Sequence, residues 1–258
     1  MYQKQYLNSR QAKIYDEVLQ NGEVNIHDLV KKFSVADMTI RRDFEKMEKL
    51  GLIKRTYGGA IPSTEPDIEL EQRESINSEA KKLIGKCAAD YIKEKEAIFI
   101  DAGTTTPYIV QFLPTDSNLT IVTNALNVAS QIKGKQQEKI LIGGMLRDVT
   151  SSLVGPIAES NLDNLSFDKA FISASGLSTE HGISNANIFE VQIKKKVIQN
   201  AKEVNLLVDS SKFEKQFLHK ICSFDQIHRI ITDKEPGNNY REVFSSHNID
   251  LVVASKVN

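Results

Sequence analysis

Between Val35 and Ala60 the chain reads VADMTIRRDFEKMEKLGLIKRTYGGA, and this stretch leaves few folds open. Ile40, Phe44 and Met47 recur at i, i+4 and i+7, the spacing that lays side chains on one face of an α-helix. Thr39, Arg42, Lys46 and Lys49 fall near the opposite face. Arg41 lies to one side, with Glu45 one turn further on as its expected partner. Gly51 is the expected helix stop, because glycine accepts the left-handed conformation needed there. Leu52 to Tyr57 has strand-forming content, and Gly58-Gly59 supplies a tight turn.

A charge run alone would fit a solvated amphipathic helix. A threonine among the cations, followed at once by a basic ribbon turned on glycine, points instead to a winged helix-turn-helix. In that module a helix enters the major groove and a wing lies against the backbone. Arginine suits the task because its planar fork bonds guanine O6 and N7 together, or clamps a phosphate. The expected DNA contacts are Thr39, Arg41, Arg42, Lys46 and Lys49 on the helix, and Lys54, Arg55 and Tyr57 on the ribbon. Upstream, residues 7–21 read as a helix with Ile14, Val18 and Leu19 inward and Asn21-Gly22 as the stop. Asn25 then caps a second helix with Ile26, Leu29, Val30 and Phe33 inward.

Thr39-Ile40-Arg41-Arg42-Asp43, Gly51-Leu52-Ile53, Arg55 and Gly58-Gly59-Ala60 closely resemble the signature of the DeoR/GlpR-type bacterial transcription regulators. Ala36 stands where that family usually has the capping Ser, so Asp37 is expected to take over the cap. Phe44 replaces the usual Leu and Tyr57 the usual His.

The charge distribution agrees with contact through the N-terminal part alone. Residues 1–60 carry +3 and the remainder −4, for a total of −1. Residues 61–76 contain two prolines and many acids, which is linker composition. The organisation read from the sequence is therefore a DNA-binding domain at 1–60, a linker at 61–76 and an α/β domain at 77–258. Cys87 and Cys222 have no metal or redox spacing, and no metal or cofactor is expected. No apolar run reaches the length of a membrane span and the N-terminus is polar, so the expected location is the cytoplasm.

From Asn77 to Lys95 a helix is expected, with Leu83, Ile84, Cys87, Ala88, Tyr91 and Ile92 on one face. Short apolar strands and helices then alternate. Strands are expected at 97–102, 119–123, 139–142, 168–173, 204–208, 227–232 and 251–254. Helices are expected from Thr105, and at 125–132, 156–165, 188–201 and 239–247. This order implies a mostly parallel sheet covered on both faces, with ligands at its carboxyl edge. Small polar residues collect at those strand ends. Asp101, Gly103, Thr104, Thr105 and Thr106 open a helix as an anion cradle. Thr123-Asn124, Gly143-Gly144, Ser175-Gly176 and Asp209 with Lys212 end other strands, and Lys194 or Lys212 can neutralise a phosphate.

DAGTTT, VTN, IGG, SLVGP, DKAF, ASG and DSSKF resemble the sensor domain of the same family. The resemblance implies a ribose-phosphate-isomerase-like sheet binding a phosphorylated sugar, with Gly103 to Thr106 on the phosphate. It implies Asp101, Asn124, Gly144, Ser175, Lys194, Asp209 and Lys212 as lining, and it also covers Arg73 and Glu190, without roles. The leading reading is a DNA-binding repressor released by a sugar phosphate and acting as a dimer or tetramer. The second is a sugar-phosphate isomerase with an appended DNA-binding module. The isomerase segment that is rich in acids is Ser173-Ala174-Ser175-Gly176-Leu177 here, which disfavours catalysis and leaves Asp101 and Asp209 as the available bases.

Overall fold

The computed structural model describes residues 7–21, 23–49, 52–62, 70–132, 134 and 136–254. Two compact units divide the chain, Met1–Ile68 and Glu69–Asn258. The expected stops Gly22 and Gly51, part of the expected linker, and the side chains of Leu19 and Lys49 lie outside the described residues.

The first unit runs α1 (Ser9–Asn21), β1 (Val24–Asn25), α2 (Ile26–Phe33), α3 (Asp37–Lys49), β2 (Ile53–Arg55) and β3 (Gly59–Pro62). Ile14 and Val18 of α1, Leu29 of α2, and Ile40, Phe44 and Met47 of α3 share one buried cluster with Ile53 of the ribbon. The periodicity of α3 is thus the packing of its apolar stripe. Asn25 caps α2 by accepting from the His27 N–H at 2.8 Å, and Ser34 ends it in the left-handed conformation. A buried carboxylate ties the helices together. Asp43 accepts from Arg10 Nε and from Gln11 Nε2, each at 2.7 Å, so α1 is held to α3 by charge-assisted bonds as well as by packing.

The ribbon β2–β3 is antiparallel, with Arg55 opposite Ala60, and β1 adds a third strand that pairs Asn25 with Gly59. Two residues carry no periodicity, which is why β1 is invisible in the sequence. Glycine at 59 has a packing reason, since a Cβ there would lie 1.9 Å from the Val24 carbonyl oxygen. Ile61 and Pro62 belong to β3, and Leu70–Ser75 forms α4 with Leu70 buried, so regular structure occupies both ends of the stretch expected as a linker. Pro62 is tolerated because β1 pairs only as far as Ala60.

The second unit continues with α5 (Ser78–Ala89), β4 (Ala97–Ile100), α6 (Tyr108–Phe112), β5 (Thr120–Thr123), α7 (Leu126–Gln131), β6 (Glu138–Leu141), β7 (Met145–Arg147), β8 (Ser152–Val154) and α8 (Pro156–Leu162). It ends with β9 (Phe167–Ile172), β10 (Gly176–Ser178), β11 (Gly182–Asn185), α9 (Ile188–Asn200), β12 (Ala201–Leu207), β13 (His219–Cys222), β14 (Arg229–Thr232), α10 (Asn238–Ser246) and β15 (Asp250–Val253). The main sheet has the order β15-β14-β12-β9-β4-β5-β6, and every pairing in it is parallel. Two buried clusters, one holding Phe99 and Leu206 and the other Ile98 and Leu207, cover its opposite faces. Alternate residues of β4 and of β12 therefore face opposite cores, which explains their unbroken apolar runs. Two differences from expectation matter. The helix expected from Thr105 starts at Tyr108, so residues 103–107 form a turn, and α5 stops at Ala89, six residues before the left-handed Lys95.

The winding reverses between β4 and β9, the crevice where ligands enter sheets of this kind. In the first unit, Gly59→Ala should cost roughly 3 kcal/mol or more through the backbone clash with Val24. Thermal unfolding of the full-length variant checks this, with an early transition expected.

Candidate functional site

Arg41, Arg42 and Lys46 of α3 are exposed, as are Lys54, Arg55 and Tyr57 of the ribbon, while Thr39 is half-buried at the helix start. The cationic face thus points to solvent. Its members differ in how they are held. Arg41 finds its carboxylate at Asp37, one turn before it, where the sequence pointed to Glu45. Asp37 is accordingly the first helical residue and a partner of Arg41 rather than the cap. An acid before a base also agrees with the helix dipole. Arg55 bonds Glu48 of α3, and Lys46 bonds Gln11 at 3.3 Å. No described residue bonds the Arg42 guanidinium.

At the carboxyl edge of the large sheet, Asp101 follows β4 and Lys194 projects from α9. They form an ion pair in which both side chains are at most 3% exposed. Asp101 Oδ2 also accepts from Ser173 N at 3.0 Å and Ser173 Oγ at 3.1 Å, which binds the end of β4 to the end of β9 across the winding reversal. Burial pushes the Asp101 carboxyl up, against the pull of Lys194. A Cβ on Gly103 would lie 2.8 Å from Ser173 Oγ, so the two loops meet closely.

The loop after Asp101 is braced from below. Thr106 Oγ1 donates to the Asp101 carbonyl at 2.7 Å, Asn124 Oδ1 accepts from Ala102 N at 3.0 Å, and Asn127 Nδ2 donates to the Gly103 carbonyl at 3.1 Å. Thr123 donates to Ile100 O and accepts from Ala125 N. The polar atoms of Thr106, Thr123 and Asn124 are therefore engaged in shaping the loops. Above them, among the described residues, no acceptor meets the N–H groups of Gly103, Thr104, Thr105 and Thr106.

Further charges are coupled to the Asp101–Lys194 pair and to one another. Glu190, in the first turn of α9, accepts from Asn185 Nδ2 at 2.8 Å and lies 3.4 Å from Arg147 Nη1. Asn185 in turn accepts the Ser175 hydroxyl. Burial pushes the Glu190 carboxyl up, but Lys194, the Thr150 hydroxyl, Arg73 and Arg147 outweigh it and hold it below its ordinary value. Asp209 accepts from Ser211 N at 3.0 Å and Asn77 Nδ2 at 3.1 Å. Burial works against its charge too, yet the Ser211 hydroxyl and Lys212 keep it low. Lys81 of α5 is 3% exposed, donates to the Arg73 carbonyl, and is pushed down to about 8, first by burial and then by Lys212 and Arg73 against Asp209. Gly143 and Gly144 both have positive φ and let the chain turn into β7, whose Arg147 reaches Glu190.

Lys81, Arg147 and Asn185 are the members of this cluster that sequence reasoning missed. Lys81 carried a signal, since it shares the apolar stripe of α5 with Ile84 and Ala88. Arg147 and Asn185 sit in short antiparallel pieces with no period to read.

Residues 10–65 match the DeoR-like helix-turn-helix domain and residues 76–234 the DeoR C terminal sensor domain. Among relatives, the chain is 34% identical to the HTH-type transcriptional regulator IolR of Bacillus subtilis, over 95% of this chain and 98% of that one. It is 32% identical to the glycerol-3-phosphate regulon repressor of Escherichia coli over 94% and 97%, and 30% identical to the L-fucose operon activator of Haemophilus influenzae over 96% and 100%. Among solved structures it is similar to ribose 5-phosphate isomerase A of Methanocaldococcus jannaschii, with a TM-score of 0.40 at 19% identity over 54% of this chain and 56% of that one, too loose a likeness to carry an argument. The chain belongs to the DeoR family of transcriptional regulators, and the enzyme reading gives way to that of a regulator.

Lys81 supplies a pH test. Its folded value of about 8 lies below the unfolded value of about 10.4, so the unfolded chain holds the extra proton between them. The penalty for the buried charge is full below pH 8 and disappears as pH rises to 10.4. Thermal unfolding should therefore show wild type gaining stability across that window relative to Lys81→Met.

Proposed function

From its place in the DeoR family, we propose that this chain is an operator-binding repressor whose second unit is switched by a phosphorylated sugar. The observation that supports it best is the set of four open N–H groups at 103–106, placed where the sheet reverses its winding. Peptide donors left without partners at a strand end suit phosphate oxygens. The charge around them agrees: Arg73, Lys81, Arg147, Lys194 and Lys212 outnumber Glu74, Asp101, Glu190 and Asp209. An anion completes that balance. In this reading phosphate lies on Gly103 to Thr106 beside Lys194 and Lys212, and Asp209, Ser175 and Gly176 face the sugar. Gly143 and Gly144 shape the rim.

On the DNA side, Arg42 is the base reader on α3, with Thr39 and Arg41 beside it, and Lys46, Lys49, Lys54, Arg55 and Tyr57 bear on the backbone. Two recognition helices on one operator multiply weak half-site affinities, so the working form is a dimer or tetramer. Among the described residues no helix is long and apolar enough to cross a membrane, which agrees with a protein working beside DNA in the cytoplasm. The sugar phosphate must bind the DNA-competent and DNA-free states unequally, and a coupling of about 1–3 kcal/mol suffices.

Two measurements test the proposal. In gel shift on a duplex selected by the wild-type chain, Arg42→Ala should lose about 1–3 kcal/mol of binding free energy. In a thermal-shift screen, phosphorylated sugars should raise the unfolding temperature where the same sugars without phosphate do not, through a stabilisation of about 2.7 kcal/mol at a hundredfold excess over Kd. Lys212→Ala should abolish that shift and leave DNA binding intact. Loss of both together would place the pocket elsewhere.

A further inference from the structure

Glu48 is an acid at the edge of a cationic face. It belongs to α3, one turn after the buried Phe44, on the side that meets the ribbon. Both of its oxygens are committed to a single residue. Oε1 accepts the peptide N–H of Arg55 at 2.9 Å, and Oε2 accepts Arg55 Nε at 2.6 Å. In the order β1-β3-β2, the strand carrying Arg55 is an edge strand, so this peptide N–H points away from its hairpin partner. One carboxylate therefore fixes the backbone of the wing and the root of its guanidinium together. The terminal amino groups of Arg55 bond no described residue. Beside this clamp, Ile26, Arg41, Phe44, Thr56 and Gly59 bound a cleft of about 240 Å³ between helix and ribbon.

We propose that Glu48 is a positioning residue for DNA recognition, holding Arg55 so that its free amino groups are presented to a backbone phosphate beside the groove that α3 reads. This rests on the DNA-binding reading above. Stability gives little reason for the clamp, because the Arg55 side chain is 47% exposed and the Glu48 side chain 34%, and exposed pairs stabilise folds weakly. Ordering before binding is where it counts. An unrestrained arginine surrenders its rotamer freedom when it meets a phosphate, and a pre-set one has surrendered it already. The sign of the effect follows. The carboxylate charge is matched by the guanidinium and screened by salt, so its repulsion of DNA is the smaller term. The bonds from Arg55 hold the Glu48 carboxyl below its ordinary value.

The test is a double-mutant cycle in the full-length chain, on a duplex that the wild-type chain selects from a random pool, read as Kd across a salt series. Glu48→Ala should weaken binding severalfold and lower the log Kd–log salt slope by about 0.9, as loss of one phosphate contact does, and Arg55→Ala should do the same. The double variant should bind no more weakly than Arg55→Ala alone, because Glu48 acts through that residue. Unfolding temperatures should stay level. Glu48→Gln, which keeps an oxygen for one of the two bonds, should fall between wild type and Glu48→Ala, and it carries the cycle if Glu48→Ala does not fold. Binding by Glu48→Ala as tight as wild type or tighter would overturn the proposal. So would additive losses in the double variant, or an Arg55→Ala variant that binds like wild type. A wild-type chain that selects no duplex would instead overturn the DNA-binding reading itself.

Discussion

An ammonium and a carboxylate sealed from water at the winding reversal set the terms for the sensor unit. Neither Lys194 nor Asp101 is tolerable alone at that depth, because a lone buried charge forfeits its hydration without return. Their pairing fixes α9 against the end of β4, and the Ser173 bonds add the end of β9. Three elements distant in sequence are thereby held at one point. Thr106, Asn124 and Asn127 complete the frame beneath the turn. The turn has a polar side bonded to the protein, while no described residue accepts from the N–H groups of residues 103–106. Buried peptide donors are almost always paired, with protein groups or with ordered water.

The reader unit uses carboxylates for a related purpose at lower depth. Asp43 is buried and holds α1 to α3, whereas Asp37 and Glu48 are near the surface and hold individual arginines. A cationic face built this way has graded freedom. Arg41 and Arg55 are each held by a carboxylate, and no described residue bonds the Arg42 guanidinium.

Much of this was legible in the sequence. The stripe Ile40, Phe44 and Met47 announced α3 because packing alone sets its period, and the runs AIFI, TIVT and FDKAFI announced a covered parallel sheet for the same reason. The collection of Gly, Ser, Thr, Asp and Asn at strand ends lies at the carboxyl edge of the sheet. What could not be read was the partner of each charge. Arg41 had acids one turn away on both sides, and only the start of the helix at Asp37 decides between them. Thr104 and Thr106 look alike in the string DAGTTT, yet it is the Thr106 hydroxyl that donates to the Asp101 carbonyl. Short antiparallel pieces such as β7 and β11 were silent, because three or four residues hold no period, and they supply Arg147 and Asn185.

The order of strands in the large sheet has a temporal side. Synthesis delivers the reader first, complete by Pro62 and made of near neighbours that can fold as they emerge. The sensor has to wait. Its central strand β4 finds β9 about seventy residues later, with Ile98 beside Lys169, and Asp101 stays without its counter-ion until Lys194 has left the ribosome. A nascent chain thus passes through a stage in which its first unit is made while the buried ion pair of its second unit is not.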